Sequence, residues 1–273
     1  MKKQFERTAR LIGTDGVDCL QQAHVLLFGV GGVGGYVAEA LARSGVGAFT
    51  LVDNDTVAES NLNRQIIATY DTVGREKTEV MKERILSINP EAKVEVRNCF
   101  FLPECADSFD FSNYSYVVDA VDTITAKIEI ILRAQAAGVP VLSSMGTGNK
   151  LNPAMLEVTD LKQTSVCPLA KVMRRELKRR GVEHVKVVYS KEEALTPIEE
   201  SDSMTQNTEE QEISEQTAAF VGNTEFVQVG QQEEQKEPVR RKAVPGSLMF
   251  VPAAAGILIA SEVVKDLLLQ KKK

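Results

Sequence analysis

The chain has 273 residues, 43% of them apolar and 26% charged, which is enough for one substantial core, or for a core with an appendage. Cysteines at 19, 99, 105 and 167 form no C-x-x-C pair, which argues against a disulfide framework or a zinc ribbon and fits a reducing cytoplasm. The net charge of −6 is uneven: Lys191 to Pro238 holds 13 acidic and 2 basic residues, so the rest of the chain is net positive.

The N-terminus turns charged within a few residues and shows no apolar signal segment. Val25-Leu26-Leu27-Phe28 reads as a strand, followed by a glycine run from Gly29 to Gly35 and by Tyr36, Val37, Ala40 and Leu41 at helical spacing up to Ser44-Gly45. A second strand, Ala48 to Val52, ends at Asp53 and completes a βαβ unit. Next come a helix near Lys77 to Ser87, a strand from Lys93 to Arg97 and an apolar strand from Tyr116 to Ala120. A helix from about Ala126 to Ala137, closed by Gly138, precedes a strand from Val139 to Ser143.

Beyond Ser144 the pattern predicts a strand at Ala154 to Val158, a basic helix from Leu169 to Arg180 and a strand at Lys186 to Tyr189. Leu248 to Ala260 is apolar for 13 residues, short of the roughly 20 a spanning helix needs, and reads as a buried strand leading into a terminal helix from Ala254 to Leu269. Strands alternating with helices predict an α/β fold: a Rossmann-like, mostly parallel sheet with helices on both faces and a C-terminal extension. Residues 1–190 and 244–273 form that domain in this reading. Residues 191–243, acidic and poor in aromatics, form a flexible insertion that buries too little apolar surface to offset the entropy of ordering.

Gly29, Gly31, Gly32 and Gly34 make a G-x-G-G-x-G turn, in which backbone N–H groups approach phosphates at a helix N-terminus. Asp53, at the end of the following strand, stands where a carboxylate reaches ribose hydroxyls. These two features alone serve an NAD-dependent oxidoreductase as well as an ATP enzyme. The polar stretch from Asp53 through Asp55 and Asn61 to Arg64-Gln65 separates them, because a dehydrogenase needs no arginine-bearing loop at that point.

The stretch resembles the D-x-D-x-V-x-x-S-N-x-x-R-Q pattern of the ubiquitin-activating-enzyme superfamily, whose members adenylate carboxylates. Arg10, Lys77 after Val73-Gly74, and Asp122 in Asp119-Ala120-Val121-Asp122 match that superfamily's arginine finger, catalytic lysine and metal-associated aspartate. The resemblance implies ATP and Mg²⁺ as cofactors, with Asp53, Asp55, Asn61, Arg64 and Lys77 on the nucleotide, Asp122 on the metal, and a homodimer in which Arg10 acts across the interface. Arg10, Arg64 and Lys77 are the cations that such chemistry needs against charge developing on the phosphates.

The segments Ser143 to Leu151, Cys167 to Leu177 and Pro245-Gly246-Ser247 resemble the tRNA threonylcarbamoyladenosine dehydratase branch, which implies tRNA as the partner. Arg174, Arg175, Lys178, Arg179 and Arg180 supply a basic helix suited to RNA phosphates, although such runs also serve as solvated helix faces. Cys167, before Pro168 at a helix start, is a candidate reactive thiol or an inert core residue. Three alternatives remain at this stage: adenylation of a sulfur-carrier protein with a sulfur-transfer partner, against which the missing C-x-x-C pairs speak; an NAD-dependent oxidoreductase, against which Asn61, Arg64 and Lys77 argue; and a non-catalytic nucleotide-binding scaffold.

Overall fold

Alternating side chains along each short strand divide the core between the two faces of one sheet. The computed structural model describes residues 2–198 and 245–270. Among them the strands are β1 (His24–Phe28), β2 (Ala48–Val52), β3 (Lys93–Arg97), β4 (Tyr116–Asp119), β5 (Val141–Ser144), β6 (Leu156–Asp160) and β7 (Lys186–Ser190), in the order β3-β2-β1-β4-β5-β7-β6. All neighbours are parallel except β6, which runs antiparallel on β7.

The helices are α1 (Glu6–Gln22), α2 (Gly34–Ser44), α3 (Lys77–Ile88), α4 (Ile124–Ala136), α5 (Pro168–Arg179) and α6 (Phe250–Gln270). Val25 and Leu27 of β1 join Val37 and Leu41 of α2 and Ile259 and Val263 of α6 in one apolar cluster. Leu26 and Phe28 face the other way, with Ile130 and Ile131 of α4, Met173 of α5 and the ring of Phe101. The crossovers from β1 run outward through β2 to β3 on one side, and those from β4 run outward on the other. The crevice at the carboxyl ends of β1 and β4 is therefore the switch point at which such sheets bind ligands.

Two elements depart from the sequence reading. The stretch Leu248 to Ala260 contributes no strand: α6 begins at Phe250, and Pro252 is tolerated in its first turn because N–H groups there have no intrahelical partner. The N-terminal α1 escapes periodicity analysis because its backbone leaves helical geometry at Gly13 and its glycines lower helix propensity.

Of the acidic segment, the first residues are bound to the body. The Lys191 N–H donates to the Met155 carbonyl at 2.9 Å, the Leu195 N–H donates to the Asn149 carbonyl at 2.8 Å, and the Glu192 carboxylate accepts from the N–H groups of Leu151 and Asn152. One unit thus comprises the chain to Leu195 and from Pro245 onward; residues 199–243 of the expected insertion lie outside the described residues. Among the described residues no helix is long and apolar enough to cross a membrane.

Polar contacts anchor α6 to the sheet. The Tyr116 hydroxyl donates to Asp266 at 2.7 Å, and the Lys186 ammonium reaches both oxygens of the same carboxylate at 2.7 and 2.8 Å. Burial and the Asp266 carboxylate push the Tyr116 phenol far above its ordinary range, so it stays a donor. Between α2 and α3, Glu39 accepts from Arg84 and Arg43; burial alone would raise its carboxyl, but the two guanidiniums outweigh it and hold it below the usual carboxylate range.

Helix α6 crosses α2 closely because Gly256 has no side chain: a Cβ there would lie 2.5 Å from the Val33 carbonyl oxygen and 2.7 Å from Cβ of Tyr36. Gly256→Ala should therefore destabilise the fold by about 1–3 kcal/mol through overpacking, with a lowered urea midpoint. An unchanged midpoint would mean that the two helices part without cost.

Candidate active site

The glycine turn follows β1 immediately. Gly29 has φ 85°, and a Cβ on it would meet the Ala120 carbonyl at 2.7 Å, while one on Gly34 would sit 1.8 Å from the Gly29 carbonyl. Only glycine lets the turn fold onto itself and onto the loop after β4. Gly31 and Gly32 face more open space, bordered by the Gln65 amide and by the Arg64 stem, as a cradle for phosphates requires.

Asp53, at the carboxyl end of β2, closes the turn from the other side. Its Oδ2 accepts from the Val30 N–H at 2.7 Å and its Oδ1 from the Asp55 N–H at 2.9 Å. Burial pushes its carboxyl above the usual range, against the pull of those donors and of the Lys77 charge. The carboxylate thus shapes both the glycine turn and the loop that follows β2.

The loop from Asp53 to Gln65 folds around short turns. The Asn61 side-chain oxygen accepts from the Ala58 N–H at 3.2 Å and caps one of them. Arg64 is half-buried: its Nη1 donates to the Ser60 carbonyl at 2.7 Å and to the Asn63 side-chain oxygen at 3.0 Å, leaving Nε and Nη2 as donors. Gln65 is buried, and its Oε1 has no partner among the described residues, an orphan acceptor beside the glycine cradle.

Lys77, the first residue of α3, is 5% exposed, and its ammonium lies 2.6 Å from Asp55 Oδ2. Asp55, expected on the nucleotide, is thereby engaged as the counter-ion of this buried cation. Backbone donors and two cations border one cradle, and that set fits the phosphates of a nucleoside triphosphate.

Asp122 is exposed in the loop between β4 and α4, next to Thr123, whose hydroxyl lies 3.4 Å from its Oδ1. Among the described residues no three metal-ligating side chains cluster. A single carboxylate still suits Mg²⁺, a hard ion that takes much of its shell from waters and phosphate oxygens.

Beneath that loop lies a network the sequence reading missed. Lys127 and Asp119 are both fully buried; the ammonium donates to Asp119 Oδ1 at 3.1 Å, to Oδ2 at 3.0 Å and to the Val121 carbonyl at 2.9 Å. Asp119 also accepts from the Ser143 hydroxyl at 2.5 Å and from the Val121 N–H at 3.2 Å. A signal existed: Lys127 shares a helix face with Ile130, Ile131 and Ala134, an apolar stripe on which a lysine needs a buried partner.

Other expected residues lie apart. Arg10 is exposed on α1 beside Leu11, itself 87% exposed, and no hydrogen bond or ion pair among the described residues links it to the cradle. Cys167 is 4% exposed within the apolar cluster of Leu161, Ala170 and Met173, so its thiol is packed as a core group and not presented as a reactive one.

On α5, Arg174 is half-buried and its Nη1 donates to the Thr164 carbonyl at 2.8 Å, so it is tied to the protein more than the other basic residues of the expected RNA-facing set. Arg175, Arg179 and Arg180 share the Glu176 carboxylate at 3.0–3.2 Å, and Lys178 is exposed.

A model described as the ThiF family matches residues 5–273. The chain is 38% identical over 270 residues to the tRNA threonylcarbamoyladenosine dehydratase of Bacillus subtilis, covering 98% of this chain and 96% of that protein. It is also similar to the structures of the Escherichia coli tRNA N6-threonylcarbamoyladenosine dehydratase in complex with AMP (32% identity, TM-score 0.79) and with ATP (31%, 0.78). Each comparison covers 99% of this chain and 96% of that one.

Because the buried Lys127–Asp119 pair leaves an unsatisfied charge when either partner is lost, Lys127→Met should cost about 3–5 kcal/mol in chemical denaturation. Adding Asp119→Leu should return part of that loss. A single variant within about 1 kcal/mol of the parent would show that the pair does not hold the loop.

Proposed function

The chain belongs to the ThiF family, and from that membership we propose that it uses ATP to activate the carboxylate of threonylcarbamoyladenosine in tRNA and closes it to the cyclic form. One observation carries the substrate assignment: the likeness to the dehydratases spans nearly the whole of both chains and is not confined to the nucleotide-binding half.

In the first step a carboxylate oxygen of the threonyl group attacks the α-phosphorus of ATP, and the bond to the β-phosphate breaks with loss of pyrophosphate. Negative charge grows on the equatorial and leaving oxygens, where Arg64 and Lys77 supply fixed cations. The Gly29–Gly34 turn and the N-terminus of α2 hold the phosphates through backbone N–H groups, Asp53 holds the ribose, and Asn61 and Gln65 lend hydrogen bonds. Asp55 keeps the Lys77 ammonium in place. Asp122 is the side chain that would hold Mg²⁺, which would supply positive charge against the departing pyrophosphate.

In the second step a carbamoyl atom of the same nucleoside attacks the acyl carbon, AMP departs and the carbamoyl group gives up a proton, so the nucleoside loses the elements of water. Both reacting groups belong to one side chain, and their high effective concentration makes an enzyme thiol unnecessary. The burial of Cys167 agrees with this. Arg175, Lys178, Arg179 and Arg180 contribute phosphate contacts to tRNA. A second copy of the chain brings Arg10 to the site, its exposure beside Leu11 being what an interface residue requires. A reducing cytoplasm, where tRNA is found, suits the four free cysteines.

Incubation with ATP, Mg²⁺ and modified tRNA should yield AMP, pyrophosphate and a nucleoside lighter by one water, read by mass spectrometry of digested tRNA; tRNA without the modification should not react. An unchanged nucleoside mass together with adenylation of a small carrier protein would replace this reading with the sulfur-carrier one. Arg64→Ala should slow pyrophosphate release by about 10²- to 10³-fold with little change in thermal midpoint, and Lys77→Ala by a similar factor with a lowered midpoint, because its buried stem and its pairing with Asp55 are lost too. Near-parental rates in both variants would remove these side chains from the chemistry.

Reversing charge at Arg175 and Arg179 should raise the KM for tRNA and flatten its dependence on salt, because fewer counterions are released, while the KM for ATP stays as it was. If both KM and salt slope are unaltered, the face of α5 is only a solvated one.

A further inference from the structure

The loop leaving β5 gathers two stretches of chain that are far apart in sequence. Asn149 has φ 58°, a left-handed conformation in which asparagine is enriched among non-glycine residues. From it, one residue serves both stretches. Its carbonyl accepts from the Leu195 N–H at 2.8 Å, its own N–H donates to the Gly246 carbonyl at 2.7 Å, and its side-chain oxygen accepts from the Gly246 N–H at 2.7 Å. The outgoing stretch is secured again by the Lys150 ammonium, which donates to the Glu192 carbonyl, and by the Glu192 carboxylate on the N–H groups of Leu151 and Asn152.

The returning stretch does not stop at Asn149. The Ser247 carbonyl accepts from the Asn63 side-chain amide at 2.9 Å, and the oxygen of that same amide accepts from Arg64 Nη1 at 3.0 Å. Pro252, five residues on, borders Gly32: a Cβ on that glycine would lie 3.4 Å from the proline ring. A line of hydrogen bonds therefore runs from Asn149 through Gly246, Ser247 and Asn63 to the guanidinium beside the phosphate cradle. Asn63 spends both ends of its side chain on it, although it is exposed.

We propose that Asn149 and Asn63 are positioning residues that seat the returning chain at Pro245–Ser247 against the Arg64 guanidinium and thereby set its orientation for phosphoryl transfer. This rests on the assignment of Arg64 to the phosphates made above. A donor that stabilises a transition state contributes through its aim, so releasing one side of the guanidinium costs rate more than nucleotide affinity.

The test uses the full chain with modified tRNA, reading kcat and KM for ATP in pyrophosphate release together with the thermal midpoint. Asn63→Ala and Asn149→Gly are made alone and in an Arg64→Ala background. Glycine at 149 keeps the left-handed backbone and both backbone hydrogen bonds and removes only the acceptor for Gly246. Each single variant should lower kcat by about tenfold, with KM for ATP within about twofold and the midpoint nearly unmoved, and each should add no further loss once Arg64 is alanine. Asn63→Asp, which keeps an acceptor for Arg64 but cannot donate to Ser247, should lose less than Asn63→Ala.

Equal losses with and without Arg64, or no loss at all, would overturn the positioning link while leaving a slow Arg64→Ala enzyme and its assignment intact. A parental rate in Arg64→Ala alone would remove both. If Asn149→Gly fails to fold, the exposed Asn63 pair of variants decides the matter.

Discussion

The β4 side of the proposed active site depends on an ion pair that water never sees. Lys127 and Asp119 are fully buried at the carboxyl end of β4, and the cost of desolvating them is met only because each is hydrogen-bonded by the backbone or a neighbour as well as by its partner. That requirement ties three elements together: β4 through Asp119, β5 through Ser143 and α4 through Lys127. It also holds the Ala120–Asp122 loop against the Gly29 turn, where the space is too small for any side chain. The switch-point crevice is thus a rigid place, and the exposed Asp122 carboxylate stands on a fixed base.

Around that base the cations divide into held and presented groups. Lys77 is buried on Asp55, and Arg64 gives one nitrogen to its own loop while keeping the others as donors. Pre-oriented donors of this kind lower a barrier because they need no reorganisation as charge develops. Ring closure within one substrate side chain asks for nothing more than activation and a water-poor enclosure, and a sheet whose candidate thiol is packed into the core suits that chemistry.

Helix α6 closes the structure from far along the chain. Its small residues let it lie against α2 next to the glycine turn, and Asp266 draws Tyr116 and Lys186 onto it from two strands. The residues that lead into it, Pro245 to Ser247, pass over the Arg64 loop on the way. A late segment of the chain therefore builds part of the wall around the site made by the first half.

The sequence by itself determined the α/β alternation, the glycine turn, the acid after β2 and the polar loop with its arginine. All of these are local: a period of two or of 3.6, a turn that needs glycine, a charge at a strand end. Strands β2 and β3 were legible to the residue, and the other strands and helices to within a few positions, whereas α1 was hidden by its glycines and the apolar run before α6 read as a strand. Tertiary structure alone decided which polar residues work together. It paired Lys127 with Asp119 beneath the loop, tied Arg174 to Thr164, gave Asp55 to Lys77 and buried Cys167, because each outcome depends on which elements pack face to face and on the cost of leaving a buried polar group unmatched.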